Sequence, residues 1–243
     1  SALTLPRIIT ELKDTTESHM SDFIVSQGEK VENQYEDVSI RIDSIQHVAS
    51  RLYEAYFEVA ATYEDQSASD QTQQAMVKYQ AQMDAIESDM NRFAREGDDE
   101  TTIILSTLEG YVITSNKESV VGTQLSEDEY NGFSTEEGKI SVTTSFDSAT
   151  NKMKISYGEP VYLNGTAVGL IIFNTDGKSL DAVLDDYTLT KIPAPRIYLI
   201  DEDGLVIAHT NDSSIGTTTS NPLLIPVLEQ IKKGSYTEKG AQN

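Results

Sequence analysis

The chain of 243 residues has no cysteine and no tryptophan. Disulfide scaffolds, thiolate-bound zinc and thiol nucleophiles are therefore excluded. Its three histidines, His19, His47 and His209, are too far apart for metal-ligand spacing, so neither a metal nor a cofactor is expected. No hydrophobic run approaches the roughly 18–20 apolar residues that span a bilayer, and no signal peptide is visible. Positive charge is scarce: 18 Lys and Arg against 40 Asp and Glu leave a net charge of −22. Without a basic stripe such a surface repels a phosphate backbone, which excludes nucleic acid as a partner. Nucleophile motifs and phosphate-cradling glycine loops are missing as well, so the chain is not expected to be an enzyme. The opening Ser1-Ala2-Leu3 reads as the edge of a soluble fragment cut from a longer protein.

What is present begins with helix. Val31, Tyr35, Val38, Ile42, Ile45, Ala49, Leu52, Tyr56 and Val59 recur at spacings of three and four, an apolar seam on one helical face. Ser26-Gln27-Gly28 weakens the pattern upstream, and the first turns are expected to be separate or frayed. The stretch 65–70 interrupts the seam and supplies N-cap residues. A second seam of Met76, Tyr79, Met83, Ile86, Met90 and Phe93 follows, ended by Gly97 as a C-cap. These helices either pack on the sheets that follow, or the first also pairs with its copy in a homodimer.

Past Asp98 the texture changes to short β segments, expected at 101–107, 110–115, 139–146, 153–162 and 166–174. Glu109-Gly110 forms a hairpin turn and Asn164-Gly165 a tight primed turn. A loop-helix region spans 116–138, and a helix at 179–186 closes the unit. The expected fold class is α+β: a five-stranded antiparallel sheet with flanking helices, entered by a long N-terminal helix.

The strongest internal signal is a repeat at an offset of 94 residues. Residues 103–122 (IILSTLEGYVITSNKESVVG) and 197–216 (IYLIDEDGLVIAHTNDSSIG) align without a gap and share seven identities. Each copy reads as strand, glycine turn, strand, then a loop ended by glycine, so two modules of one fold are expected. The divisions are 1–97 for the helices, 98–190 for the first module and 191–243 for the second. A stiff connector, Leu189 to Pro195, joins the modules. The second is expected to be partial, because after a helix near 222–233 only Gly234-Ser235-Tyr236-Thr237 remains to start a third strand.

Five pieces in this order resemble the double Cache family of PAS-like extracellular sensors. They are Gly110-Tyr-Val-Ile-Thr-Ser115 with Val121-Gly122; Phe146-Asp147-Ser-Ala-Thr150; Glu159-Pro160-Val161-Tyr162 with Asn164-Gly165 and Val168-Gly169; Asp203-Gly204 through His209; and Ile215-Gly216. The resemblance covers roughly 30–243. It implies the extracytoplasmic part of a membrane-anchored bacterial signalling receptor, foremost a methyl-accepting chemotaxis protein. A sensor histidine kinase or a diguanylate cyclase is the alternative output. It further implies a small polar ligand in the first, membrane-distal module, between the sheet and the 116–138 cover. Binding would shift the helix relative to the modules as a two-state switch.

In the amino-acid-binding branch of that family an Arg and aromatics of the cover hold a carboxylate, and a Tyr and two Asp hold the ammonium. Here the Arg position falls on Asp128 and Tyr130 stands at an aromatic position; the sheet Tyr aligns with Ser145, the first Asp is Asp147 and the last is Asn174. With Phe133 and Tyr157, the candidate ligand set is Asp128, Tyr130, Phe133, Ser145, Asp147, Tyr157 and Asn174. So acidic a set suits a cationic or neutral polar ligand. Structural alternatives stand beside it: Asp147 as a turn cap, and Tyr130 and Phe133 as core of the cover. Asp201-Glu202-Asp203-Gly204 lacks the later ligands of a calcium loop and reads as a solvated hairpin turn. Two other readings remain open: a dimeric spacer that binds nothing, and a module that recognises a partner protein.

Overall fold

The structure is a computed structural model describing residues 4–62, 65–95, 101–148, 152–176, 198–201, 203–209 and 212–232. The expected helix at 179–186, the connector at 189–195, the cap at Gly97 and the third strand at 234–237 lie outside these residues. Helix α1 (Thr4–Thr62) runs through Gly28 without a break, in place of the separate first segment expected. Gly28 meets no neighbour within 4 Å, and one exposed helical glycine costs only about 1 kcal/mol. Ser67 then starts α2 (Ala68–Lys78): the Asp70 N–H donates to its hydroxyl oxygen (3.2 Å), which donates to Asp70 Oδ2 (2.7 Å). The second seam divides at Tyr79 into α2 and α3 (Gln80–Arg95). Tyr79 and Lys78 both fasten that joint to Glu58 of α1, at 2.8 and 3.3 Å.

The sheet has five antiparallel strands: β1 (Thr102–Thr107), β2 (Val112–Ser115), β3 (Ser141–Asp147), β4 (Lys152–Leu163) and β5 (Thr166–Thr175), in the order β2-β1-β5-β4-β3. Strand period two gives it two different faces. Ile103, Leu105, Ile155, Tyr157, Ile171 and Phe173 form one face and share a core with Ile42, Ile45, Leu52 and Tyr56 of α1 and Ile86 and Met90 of α3. Ile104, Val112, Leu170 and Ile172 form the other, under Leu125 and Phe133 of the cover.

Tyr53, which the seam pattern passes over, is the clasp of the first face. It is 0 % exposed, and its hydroxyl donates to the Ser106 carbonyl (2.6 Å) and lies 3.1 Å from the Leu170 carbonyl. A Cβ at Gly169 would overlap its ring and the Ser106 carbonyl, which accounts physically for the Val168-Gly169 motif. Burial drives the Tyr53 phenol far above its ordinary range.

The 94-residue repeat holds hydrogen bond for hydrogen bond. In the first copy Gly110 N–H donates to Thr107 O, Val112 to Thr123 O, Gly122 to Val112 O and Leu125 to Gly110 O. In the second, β6 (Tyr198–Ile200) and β7 (Val206–His209) carry Gly204 to Asp201 O, Val206 to Thr217 O, Gly216 to Val206 O and Thr219 to Gly204 O. Both copies have the same bulge, at Leu105/Ser106 and Leu199/Ile200. Gly110 and Gly204 both sit at φ +81, a conformation that a side chain would strain. A helix, Ile225–Lys232, follows the second copy.

The copies meet on β3. Thr144 Oγ1 donates to Asp201 Oδ2 at 2.6 Å, and the Phe146 ring lies where a Cβ on Gly216 would fall. Ala208 joins the main core beside α1.

Candidate functional site

The cover turns the sheet's second face into an open cleft of about 430 Å³. Its short helix α4 (Glu127–Tyr130) starts from Ser126, whose backbone N–H and hydroxyl both donate to Glu129 Oε2, at 3.1 and 3.0 Å. That Ser-x-x-Glu capping box leaves Oε1 of Glu129 to accept from Lys154 Nζ of β4 at 2.8 Å, pinning cover to sheet. Burial alone would raise the Glu129 carboxyl; the Lys154 and Ser126 bonds outweigh it and hold it below the ordinary range. The far end of the cover is tied by the Tyr162 hydroxyl to the Thr135 carbonyl.

Asp147 of β3, Lys152 and Lys154 of β4, Asn174 of β5 and Thr102 of β1 line the cleft, and Lys117, just past β2, and Glu129 border it. Lys152 Nζ stands 3.3 Å from Asp176 Oδ2. Asn174 Oδ1 is shielded from solvent and accepts no hydrogen bond. Asn116 accepts from the Ile103 N–H at 2.7 Å and donates to the Thr101 carbonyl at 3.0 Å, so the chain at Lys117 is firmly placed. A larger hollow of about 620 Å³ lies along Asp84, Glu87, Arg92 and Arg95, all on the outer side of α3. Its described lining comes from that one helix, with no opposing wall among the described residues.

Of the residues expected from sequence, the structure brings together Asp147 and Asn174. Ser145 is beside them, paired with Lys154 on the same face of the sheet. Four others are placed elsewhere. Tyr157 points to the opposite face, where its ring stands 6.4 Å from that of Tyr35 on α1, because it shares strand parity with Ile155. Phe133 is 8 % exposed and packs on Gly158, where a Cβ would overlap its ring. Tyr130 covers Gly110 and packs on the same cluster as Phe133. Asp128 is exposed, and its neighbour Glu129 lines the cleft in its place. Nor is the lining acidic, the basis on which a cationic or neutral polar ligand was expected: Lys117, Lys152 and Lys154 balance Glu129, Asp147 and Asp176.

The sequence does carry a signal for the lysines. Lys152-Met-Lys-Ile-Ser156 alternates polar and apolar residues, which places both lysines on the polar side of a half-buried strand. Ser126-x-x-Glu129 likewise marks a helix start and singles out Glu129.

No protein-family model matches the chain, and no curated protein matches it. Solved structures do. The ligand-binding domain of the Campylobacter jejuni chemoreceptor Tlp3, in complex with L-norvaline, superposes with a TM-score of 0.55 at 13 % identity, covering 90 % of this chain and 78 % of that one. The extracellular domain of vpHK1S-Z8, a protein described as a histidine kinase, superposes with a TM-score of 0.60 at 16 % identity, covering 89 % and 77 %. The chain thus has the fold of the extracellular sensor domains of chemoreceptors and histidine kinases, the Cache-like α+β arrangement its motifs resemble.

Proposed function

We propose that the chain is the extracytoplasmic ligand-sensing part of a bacterial transmembrane receptor, foremost a chemoreceptor, that it binds a small polar molecule in the cleft under the cover, and that it is not an enzyme. The observation that carries this reading is the cleft itself. It is a charge-lined concavity with an unpaired acceptor, Asn174 Oδ1, in a fold shared with extracellular sensor domains. The vpHK1S-Z8 likeness equally favours a kinase output, and both outputs need the same binding event. No described helix is long and apolar enough to cross a membrane, so anchoring would come from sequence flanking this domain. The output would pass through β3. That strand sets Ser145 and Asp147 towards the cleft and Thr144 and Phe146 towards the second module, so a ligand pulling on one face moves the other.

The test is a thermal-shift screen of the purified chain against amino acids, carboxylates, amines, sugars and nucleobases. A compound at 100 times its dissociation constant adds about 2.7 kcal/mol to stability. A stabilising compound whose effect disappears in Asp147→Ala and Asn174→Ala is the expected result. Stabilisation untouched by both variants would remove the cleft as the site, and silence from every class would favour a spacer or a partner-protein module.

A further inference from the structure

We propose that Glu159 of β4 and Gln46 of α1 form a proton-operated latch: one proton shared between Glu159 Oε2 and Gln46 Oε1 holds the helix against the sheet, and its loss releases that contact. The latch lies on the α1 face of the sheet, away from the cleft, and adds an acidity input to the sensor reading.

The first ground is a pair of oxygens with no donor. Among the described residues four shielded side-chain atoms lack a hydrogen-bond partner, and two of them, Gln46 Oε1 and Glu159 Oε2, come from the two sides of one contact. Glu159 is 4 % exposed and shares strand parity with Ile155, Tyr157 and Val161, which pack in the core with α1. Gln46 reaches the next residue of the same strand, its Nε2 donating to the Pro160 carbonyl at 3.2 Å. That carbonyl takes only a donor, so the amide must keep its N–H there and turn its oxygen elsewhere. Two shielded acceptors without a donor are costly, and one proton satisfies both.

The second ground is charge. No cation among the described residues pairs with Glu159. On α1 the groups flanking Gln46 are Asp43, His47 and Arg51, all exposed. β5 sets Ile171 opposite Glu159, and ahead of β3 Lys139 is taken by Glu136 at 3.1 Å. In the second module, whose Ala208 joins this core, His209 is stacked on Tyr198. Burial therefore favours the neutral carboxyl, and the Asp43 carboxylate adds to it.

The third ground is what ionisation does at this contact. Without the proton both oxygens are acceptors, and Asp43 adds a like charge. The amide can serve the carboxylate only by giving up Pro160; otherwise α1 draws back and water enters. Tyr53, about two turns further along α1, stays bound to the Ser106 and Leu170 carbonyls, so the helix loosens on the Gln46 side of that clasp. A carboxyl raised on folding holds the latch shut below its ordinary value and lets go as pH rises through the raised one.

Hydrogen exchange of the whole chain, followed from pH 4.5 to 8 and corrected for the intrinsic rate, tests this. Protection of 42–50 and 159–161 is expected to fall by about tenfold or more across that range, while that of 51–59 holds. Glu159→Gln carries its own donor and should keep those segments protected throughout. Gln46→Ala opens the contact to water and should flatten the response. Wild-type protection that ignores pH, the same fall in Glu159→Gln, or an unaltered fall in Gln46→Ala overturns the latch. So does protection restored at pH 8 by millimolar calcium or magnesium, which would make the two oxygens a cation site. If Glu159→Gln does not fold, Asp43→Asn at its exposed position takes its place; it must move the midpoint to lower pH, and an unmoved midpoint overturns the latch as well.

Discussion

Glu159 is the residue whose surroundings are most at odds with its charge. It lies on the α1 side of β4, 4 % exposed, with Oε2 shielded and accepting no hydrogen bond. Burial, and then the Asp43 carboxylate, push its carboxyl above the ordinary range. A carboxyl raised on folding contributes stability while protonated, below its ordinary value, and loses that contribution as pH rises through the raised folded value. Glu159→Gln should therefore melt above wild type at pH 7.5 and level with it near pH 4; an equal difference at both values would rule out titration as the cause. Tyr53 makes the opposite kind of prediction. Tyr53→Phe leaves the Ser106 and Leu170 carbonyls without its hydroxyl and should cost about 1–2 kcal/mol in denaturant melts. Gly169→Ala forces the ring and the strand apart and should cost about 2–3 kcal/mol. Neither Tyr53 nor Glu159 announced itself in the sequence: Tyr53 falls between the seam members Leu52 and Tyr56 and outside their spacing, and Glu159 is one of 40 acids.

β3 is the element that joins the two halves of the proposed mechanism. As the edge strand of the sheet it has one hydrogen-bonded neighbour, β4, and both its faces are in use. Thr144→Val removes the tie to Asp201 while Asp201 Oδ1 still caps the Asp203 and Leu205 amides at 2.9 Å, so the hairpin turn survives. The expected outcome is a stability loss of about 1 kcal/mol, unchanged affinity for any compound that stabilises wild type, and weaker ligand-induced protection of 198–209 in hydrogen exchange. Undiminished protection there would show that β3 does not carry the signal. Part of this element was readable beforehand: a strand was expected at 139–146 and stands at Ser141–Asp147, and strand alternation sets which of its residues share a face. That its outer face meets the second module was not, because the contact joins residues 57 apart in sequence.

At the scale of the whole molecule, the apolar seam of α1 from Ile42 to Val59 is consumed within the chain, buried against α3 and the sheet. A homodimer through α1 would then rest on its upstream part, where, among the described side chains, Val31 and Val38 are half-buried and Tyr35 is 38 % exposed. The apolar area of these described residues does not by itself hold two chains together in free solution, whereas anchoring both in one membrane raises their effective concentration. The chain alone should sediment as a monomer at micromolar concentration; a tight dimer there would place the interface elsewhere.

The sequence by itself determined the order and kind of the elements. Spacings of three and four made the helices, alternation made the strands, glycines at positive φ marked the turns, and the 94-residue repeat reappears as the same hydrogen bonds in both copies. Such signals are local, carried by residues a few positions apart, and they survive any reading that stays within one element. What only the tertiary structure decided is which side chains share the cleft. Lys117, Glu129, Asp147, Lys154 and Asn174 come from five segments that the order β2-β1-β5-β4-β3 and the Glu129–Lys154 clasp bring together. That choice depends on strand order and on one-residue parity, so Tyr157 turns away while Lys154, three positions earlier, turns in.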